Sequence, residues 1–84
     1  MAEIQIGVVS DFFHRPVVAG IDLCGELKAG DRLHITGHTT DLEFGVDSMQ
    51  IDGAAVTQAR AGDAVGIKVP DRVRPGDKVY KIVD

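Results

Sequence analysis

An all-β domain, a small barrel or sandwich, is what this sequence predicts, and two observations carry the prediction. The first is a turn written three times. Lys28-Ala29-Gly30-Asp31, Arg60-Ala61-Gly62-Asp63 and Arg74-Pro75-Gly76-Asp77 each set a basic residue, a small residue, Gly and Asp in a row. Gly takes positive φ without a Cβ clash, and Asp hydrogen-bonds to nearby backbone, so the tetrad is a turn with a physical cause. The three copies lead into strand-like runs at 32–36, 64–69 and 78–83. The second observation is apolar alternation with period two, the mark of a half-buried strand. Like turns ahead of successive β-runs build barrels or sandwiches.

The elements follow in chain order. Ile4, Ile6 and Val8 share one face of the first run, opposed by Gln5 and Gly7. Phe13-His14-Arg15-Pro16 links it to the second, where Val17, Ala19, Ile21 and Leu23 oppose Val18, Gly20, Asp22 and Cys24. Leu33 and Ile35 alternate with Arg32, His34 and Thr36, and the segment from Gly37 to Asp41 leads on to Leu42, Phe44 and Val46. The phase then slips, because Met49 and Ile51 are apolar at odd positions. A one-residue slip turns every side chain over, so a β-bulge is expected at Asp47-Ser48. Residues 54–60, between Gly53 and Gly62, read as one helical turn or an extended connector. The missing N-cap favours the connector. Pro70-Asp71-Arg72 precedes the last turn.

Eighty-four residues make a single domain, 1–84, with a modest core. Hydrophobic residues at 44% and charged residues at 26% are ordinary for a soluble fold, and the few aromatics leave the core to Val, Ile, Leu and Ala. Cys24 is the only cysteine, which excludes an intramolecular disulfide. The first residues lack the features of a signal peptide, and no run approaches the roughly 18 apolar residues of a membrane span. A reduced, cytoplasmic protein is expected. The net charge of −4 argues against nucleic-acid binding over the whole surface. The sign is divided along the chain, however. Residues 1–59 carry 3 − 9 = −6 and residues 60–84 carry 6 − 4 = +2.

Several runs resemble the second domain of translational GTPases such as elongation factor Tu. They are 27–37, Val46-Asp47-Ser48-Met49-Gln50-Ile51, 59–67 and the closing Arg74-Pro75-Gly76-Asp77-Lys78-Val79. The chain also resembles small elongation-factor-like proteins. Through Thr39-Thr40-Asp41 and Ser48-Met49-Gln50-Ile51 it is similar to the C-terminal barrel of collagenase-like peptidase-family proteins, some of which act in tRNA uridine hydroxylation. Both resemblances imply a closed six-stranded antiparallel β-barrel of the translation-factor domain 2 type. Closure would remove exposed sheet edges. No phosphate-binding Gly-x-x-x-x-Gly-Lys-Ser/Thr run is present, so the sequence offers no nucleotide site. Gln58-Ala59 stands where elongation factors often carry Glu-Gly, which departs from their aminoacyl-end pocket.

The reactive side chains support binding rather than catalysis. Cys24 has no basic neighbour or helix N-terminus to activate it and reads as a small packed thiol. His34 and His38, four apart, converge on a metal only from a helix, and His34 belongs to a strand. Asp31, Asp63 and Asp77 each have a local role in a turn. No metal, cofactor or catalytic residue is assigned. Two groups of residues suit recognition. Phe12, His14 and Arg15 combine rings with positive charge, the materials of a base-stacking surface. Arg60, Lys68, Arg72, Arg74 and Lys78 are suited to phosphate contact. The expected function is a non-catalytic binding module without a GTPase domain, docking on RNA, a ribonucleoprotein or a protein. The alternative is an accessory barrel serving a collagenase-like peptidase or tRNA-hydroxylation enzyme.

Overall fold

The structure is a computed structural model that describes residues 2–14 and 17–83. Among the described residues ten strands follow in order: β1 (Ala2–His14), β2 (Val17–Leu23), β3 (Leu27–Lys28), β4 (Arg32–Thr36) and β5 (Asp41–Gly45) in the first half. The second half holds β6 (Met49–Ile51), β7 (Ala54–Val56), β8 (Gln58–Ala59), β9 (Ala64–Lys68) and β10 (Lys78–Val83). Eight of them form one antiparallel sheet in the order β5-β4-β10-β1-β2-β9-β6-β7, and β3 pairs with β8 as a separate ribbon. The fold is thus all-β and antiparallel. The six-strand closed cylinder is not what the ladders show, since the large sheet ends at β5 and β7. Its ends nevertheless meet one turn. Gly30 N–H donates to Val46 O just past β5, and Ala29 N–H donates to Thr57 O just past β7 (both 2.9 Å).

The three Gly-Asp turns are built alike. In each, the Asp N–H donates to the carbonyl of the basic residue at 3.0–3.1 Å. The basic residue's own N–H donates to the Asp carboxylate at 2.9–3.0 Å. The central φ angles are +96° at Gly30, +95° at Gly62 and +94° at Gly76. Each turn also docks on a buried aliphatic residue elsewhere in the chain through two backbone bonds. Gly30 and Asp31 clasp Val46, Gly62 and Asp63 clasp Leu23, and Gly76 and Asp77 clasp Val9. A Cβ at any of the three glycines would meet nothing within 4 Å, so only the left-handed backbone resists a side chain. Gly30→Ala, Gly62→Ala and Gly76→Ala should therefore each destabilise by a similar amount, about 1–2 kcal/mol. Urea denaturation of the three variants checks this.

A single core gathers the inward residues of both halves of the sheet, including Ile6, Val9, Ile21, Leu33, Ile35, Phe44, Met49, Ile67 and Val79. The expected inward set of β1 is corrected. Ile6 and Val9 are buried, whereas Ile4 and Val8 are 52% and 38% exposed. The cause is a pair of register shifts, between Gln5 and Gly7 against β10 and between Val9 and Asp11 against β2. Each inserts a residue and moves the inward phase along the strand. The slip after Val46 is real, but no bulge absorbs it. The chain leaves the sheet over residues 46–48 and crosses from β5 at one end to β6 near the other. The 54–60 segment is extended, as favoured, and forms β7 and β8. Asp52 and Gly53, with φ of 52° and 79°, make the two-residue hairpin that joins β6 to β7.

Candidate functional site

Four of the sequence-predicted recognition residues come together. Phe12 and His14, at the end of β1, and Arg72 and Arg74, in the loop before β10, line one groove of ≈ 380 Å³ with Asp11, Val73 and Pro75. The fold explains the meeting. The third turn is clasped to Val9, which brings its loop beside the last residues of β1. Val73 is 1% exposed and anchors that loop, leaving the arginines on either side of it in solvent. Phe12 is half-buried against the core, and its ring meets the His14 ring edge-on, with centroids 5.0 Å apart at 80°. The exposed ring is its neighbour Phe13, at 51%.

The charge in this groove is mixed. Asp11 accepts the Phe12 N–H at 2.8 Å, Asp71 accepts the Arg72 N–H at 2.7 Å, and Asp77 accepts the Arg74 N–H at 2.9 Å. These carboxylates are turned to backbone, and among the described residues neither guanidinium is held in an ion pair. Both arginine heads are therefore available to an anionic group, with acidic residues close by. Planar forks of this kind suit phosphate or carboxylate.

The remaining predicted residues do not join them. Lys68, exposed on β9 opposite Val18, lines a second depression of ≈ 380 Å³ with Phe44 and Pro70. Arg60 lines a third, of ≈ 450 Å³, with Lys28, Glu26 and Asp63 beside the β3–β8 ribbon. Lys78 opens β10, opposite Val8 and Thr36. Arg15 lies outside the described residues. Arg60, Lys68 and the Arg72–Arg74 pair thus line three different depressions.

Two other expectations change. Cys24 is exposed rather than packed, with Sγ 3.8 Å from Gln5 O, and it lines none of the three depressions described. His34 is no isolated surface residue. Its two ring nitrogens face Glu3 and Asp41, an arrangement sequence reasoning missed. These residues lie 31 and 7 positions away, so only the strand register could have revealed it. His38 is exposed in the loop after β4.

No family model matches this chain. It is 44% identical over 79 residues to an uncharacterised protease of Methanocaldococcus jannaschii, covering 93% of this chain and 19% of that protein. It is 35% identical over 81 residues to a collagenase of Porphyromonas gingivalis, covering 94% of this chain and 20% of the collagenase. The chain therefore spans about a fifth of the length of these relatives. Among solved structures, the C-terminal domain of a Geobacillus thermoleovorans protein named as a U32 peptidase superimposes with a TM-score of 0.88 at 17% identity. That match covers 93% of this chain and 99% of the domain. A bacterial selenocysteine-specific elongation factor matches with a TM-score of 0.73 at 25% identity, over 92% of this chain and 14% of the factor. In sequence this chain is thus similar to one segment of collagenase-like proteases, and in fold to both a U32 C-terminal domain and part of a translational elongation factor.

Proposed function

We propose that this chain is a non-catalytic recognition domain serving a collagenase-like catalytic unit, as an accessory partner or as a module of the same protein. One observation carries the reading: 44% identity over nearly the whole chain, confined to a fifth of a much longer protease. Such a segment adds surfaces to a catalytic body, and the charged, shallow depressions here are surfaces rather than reaction chambers. Closure of the sheet through the first turn, in the manner of a translation-factor barrel, is part of the same reading. Mixing the chain with the catalytic part of a collagenase-like relative tests it. Association in the micromolar range or tighter by calorimetry, or a change in that enzyme's kcat/KM, is expected. The absence of both binding and a kinetic effect would overturn it.

A second reading, docking on RNA, is supported by the groove in which Phe12, His14, Arg72 and Arg74 meet. Rings can stack on bases while guanidinium groups hold phosphate. Titration of fluorescent tRNA or ribosomal RNA fragments at two salt concentrations tests this reading. Binding should weaken as salt rises, and Arg72→Ala with Arg74→Ala should reduce affinity at least about tenfold. Equal binding by wild type and double variant would remove the groove from the account.

A further inference from the structure

Four strands lie side by side in the order β5-β4-β10-β1 at one end of the large sheet. His34, on β4, stands opposite Tyr80 of β10 and Glu43 of β5. Its ring reaches past both neighbours. Nδ1 is 2.9 Å from Glu3 Oε1 on β1, and Nε2 is 2.6 Å from Asp41 Oδ1 at the start of β5. Ionised carboxylates only accept hydrogen bonds, and a neutral imidazole has a single N–H to donate. Only the imidazolium form satisfies both contacts together.

We propose that His34 is a proton-operated clasp, tying the first residues of β1 to the end strand β5 across β10 and letting go when the ring loses its proton. The groups around it support that role. β1 contributes Glu3, and β5 contributes Asp41 and Glu43. β10 contributes Tyr80 and, two pairs further along, Lys78. On β4 itself Arg32 is 3.3 Å from Glu43 and answers that carboxylate, leaving Glu3 and Asp41 to the imidazole. The ring is half-buried, with a side chain 22% exposed, so the contacts are only partly screened.

The sign of the effect follows from the same contacts. The hydrogen bond to Asp41, then that to Glu3, hold the imidazole proton on above the ordinary value of 6.5, against a smaller opposing effect of desolvation. A group whose value is raised by folding stabilises fully below its unfolded value and loses that contribution as pH rises through the folded one. The clasp is therefore shut on the acid side and opens on the alkaline side. Because β5 is an end strand, paired on one flank to β4, its opening is local.

The test joins a histidine titration by NMR to amide exchange over about pH 6 to pH 9, with β5 rates divided by those of Ile21 and Ile67 in the sheet interior to remove the chemical dependence on pH. In wild type the His34 ring should titrate above 6.5, and relative exchange in β5 should rise at least about threefold across the same midpoint. Asp41→Asn, at a side chain 84% exposed, should keep the fold and move the midpoint down. In His34→Gln the relative exchange of β5 should no longer depend on pH. A midpoint at or below 6.5, or pH-independent relative exchange in wild-type β5, overturns the proposal.

Discussion

Leu33→Ala is expected to remove about 3–4 kcal/mol of stability, the largest loss from any single truncation considered. Leu33 is fully buried, and its strand is central to one end of the sheet, between β10 and β5. It faces Phe44 across the β4–β5 pair, and the same core holds Ile35 and Val79. Truncation removes the transfer free energy of three carbons and leaves a cavity that a closely packed sheet cannot collapse into. A domain of this length has roughly 4–12 kcal/mol in total. The variant should therefore lose a large share of its margin and unfold at markedly lower urea concentration with an unchanged m-value. Ile4→Ala is the control, because Ile4 is 52% exposed and should cost no more than about 0.5 kcal/mol. Equal losses at the two positions would refute the burial pattern of β1.

Gly7→Ala should cost about 2–3 kcal/mol, although it adds only one methyl group. Gly7 is paired on both flanks, with Val79 of β10 and with Leu23 of β2, so its backbone has little freedom to shift. A Cβ placed there would stand 2.6 Å from the Asp22 carbonyl oxygen and 2.9 Å from Ile21 Cγ2. Relief would require β1 to move against two neighbours, the kind of overpacking that costs 1–3 kcal/mol and occasionally more. Gly45→Ala provides the contrast, since a Cβ there meets nothing within 4 Å and the residue lies at the exposed end of β5. It should be neutral or slightly stabilising through the unfolded state. Thermal or urea unfolding of both variants decides whether crowding, rather than loss of glycine as such, controls the effect.

These residues also show how far the sequence could be read. The three turns were legible because their cause is local: a glycine at positive φ and an aspartate bonded to backbone three residues earlier. Their anchors, Val9, Leu23 and Val46, carry no local mark that distinguishes them from other core aliphatics. The alternation of β2, β4 and β5 survived because those strands keep their phase throughout. That of β1 did not, because the inserted residues at Ile6 and Ser10 depend on its two neighbouring strands. The slip after Val46 was visible, yet its cause was a crossing between sheet ends. Phe12, His14, Arg72 and Arg74 could be named as candidates from residue type alone, and their meeting in one groove depended on the third turn gripping Val9. The Asp52-Gly53 hairpin was a readable signal that went unread.

The paired clasps of the three corners have a kinetic consequence. Their separations along the chain are 46 − 30 = 16, 62 − 23 = 39 and 76 − 9 = 67 residues. The entropy lost in bringing segments together rises with the logarithm of the intervening length, so the nearest partnership costs least and the widest costs most. Assembly should accordingly begin in the middle of the polypeptide and zip outward. Each completed corner shortens the search for the next, and the meeting of the two termini comes last.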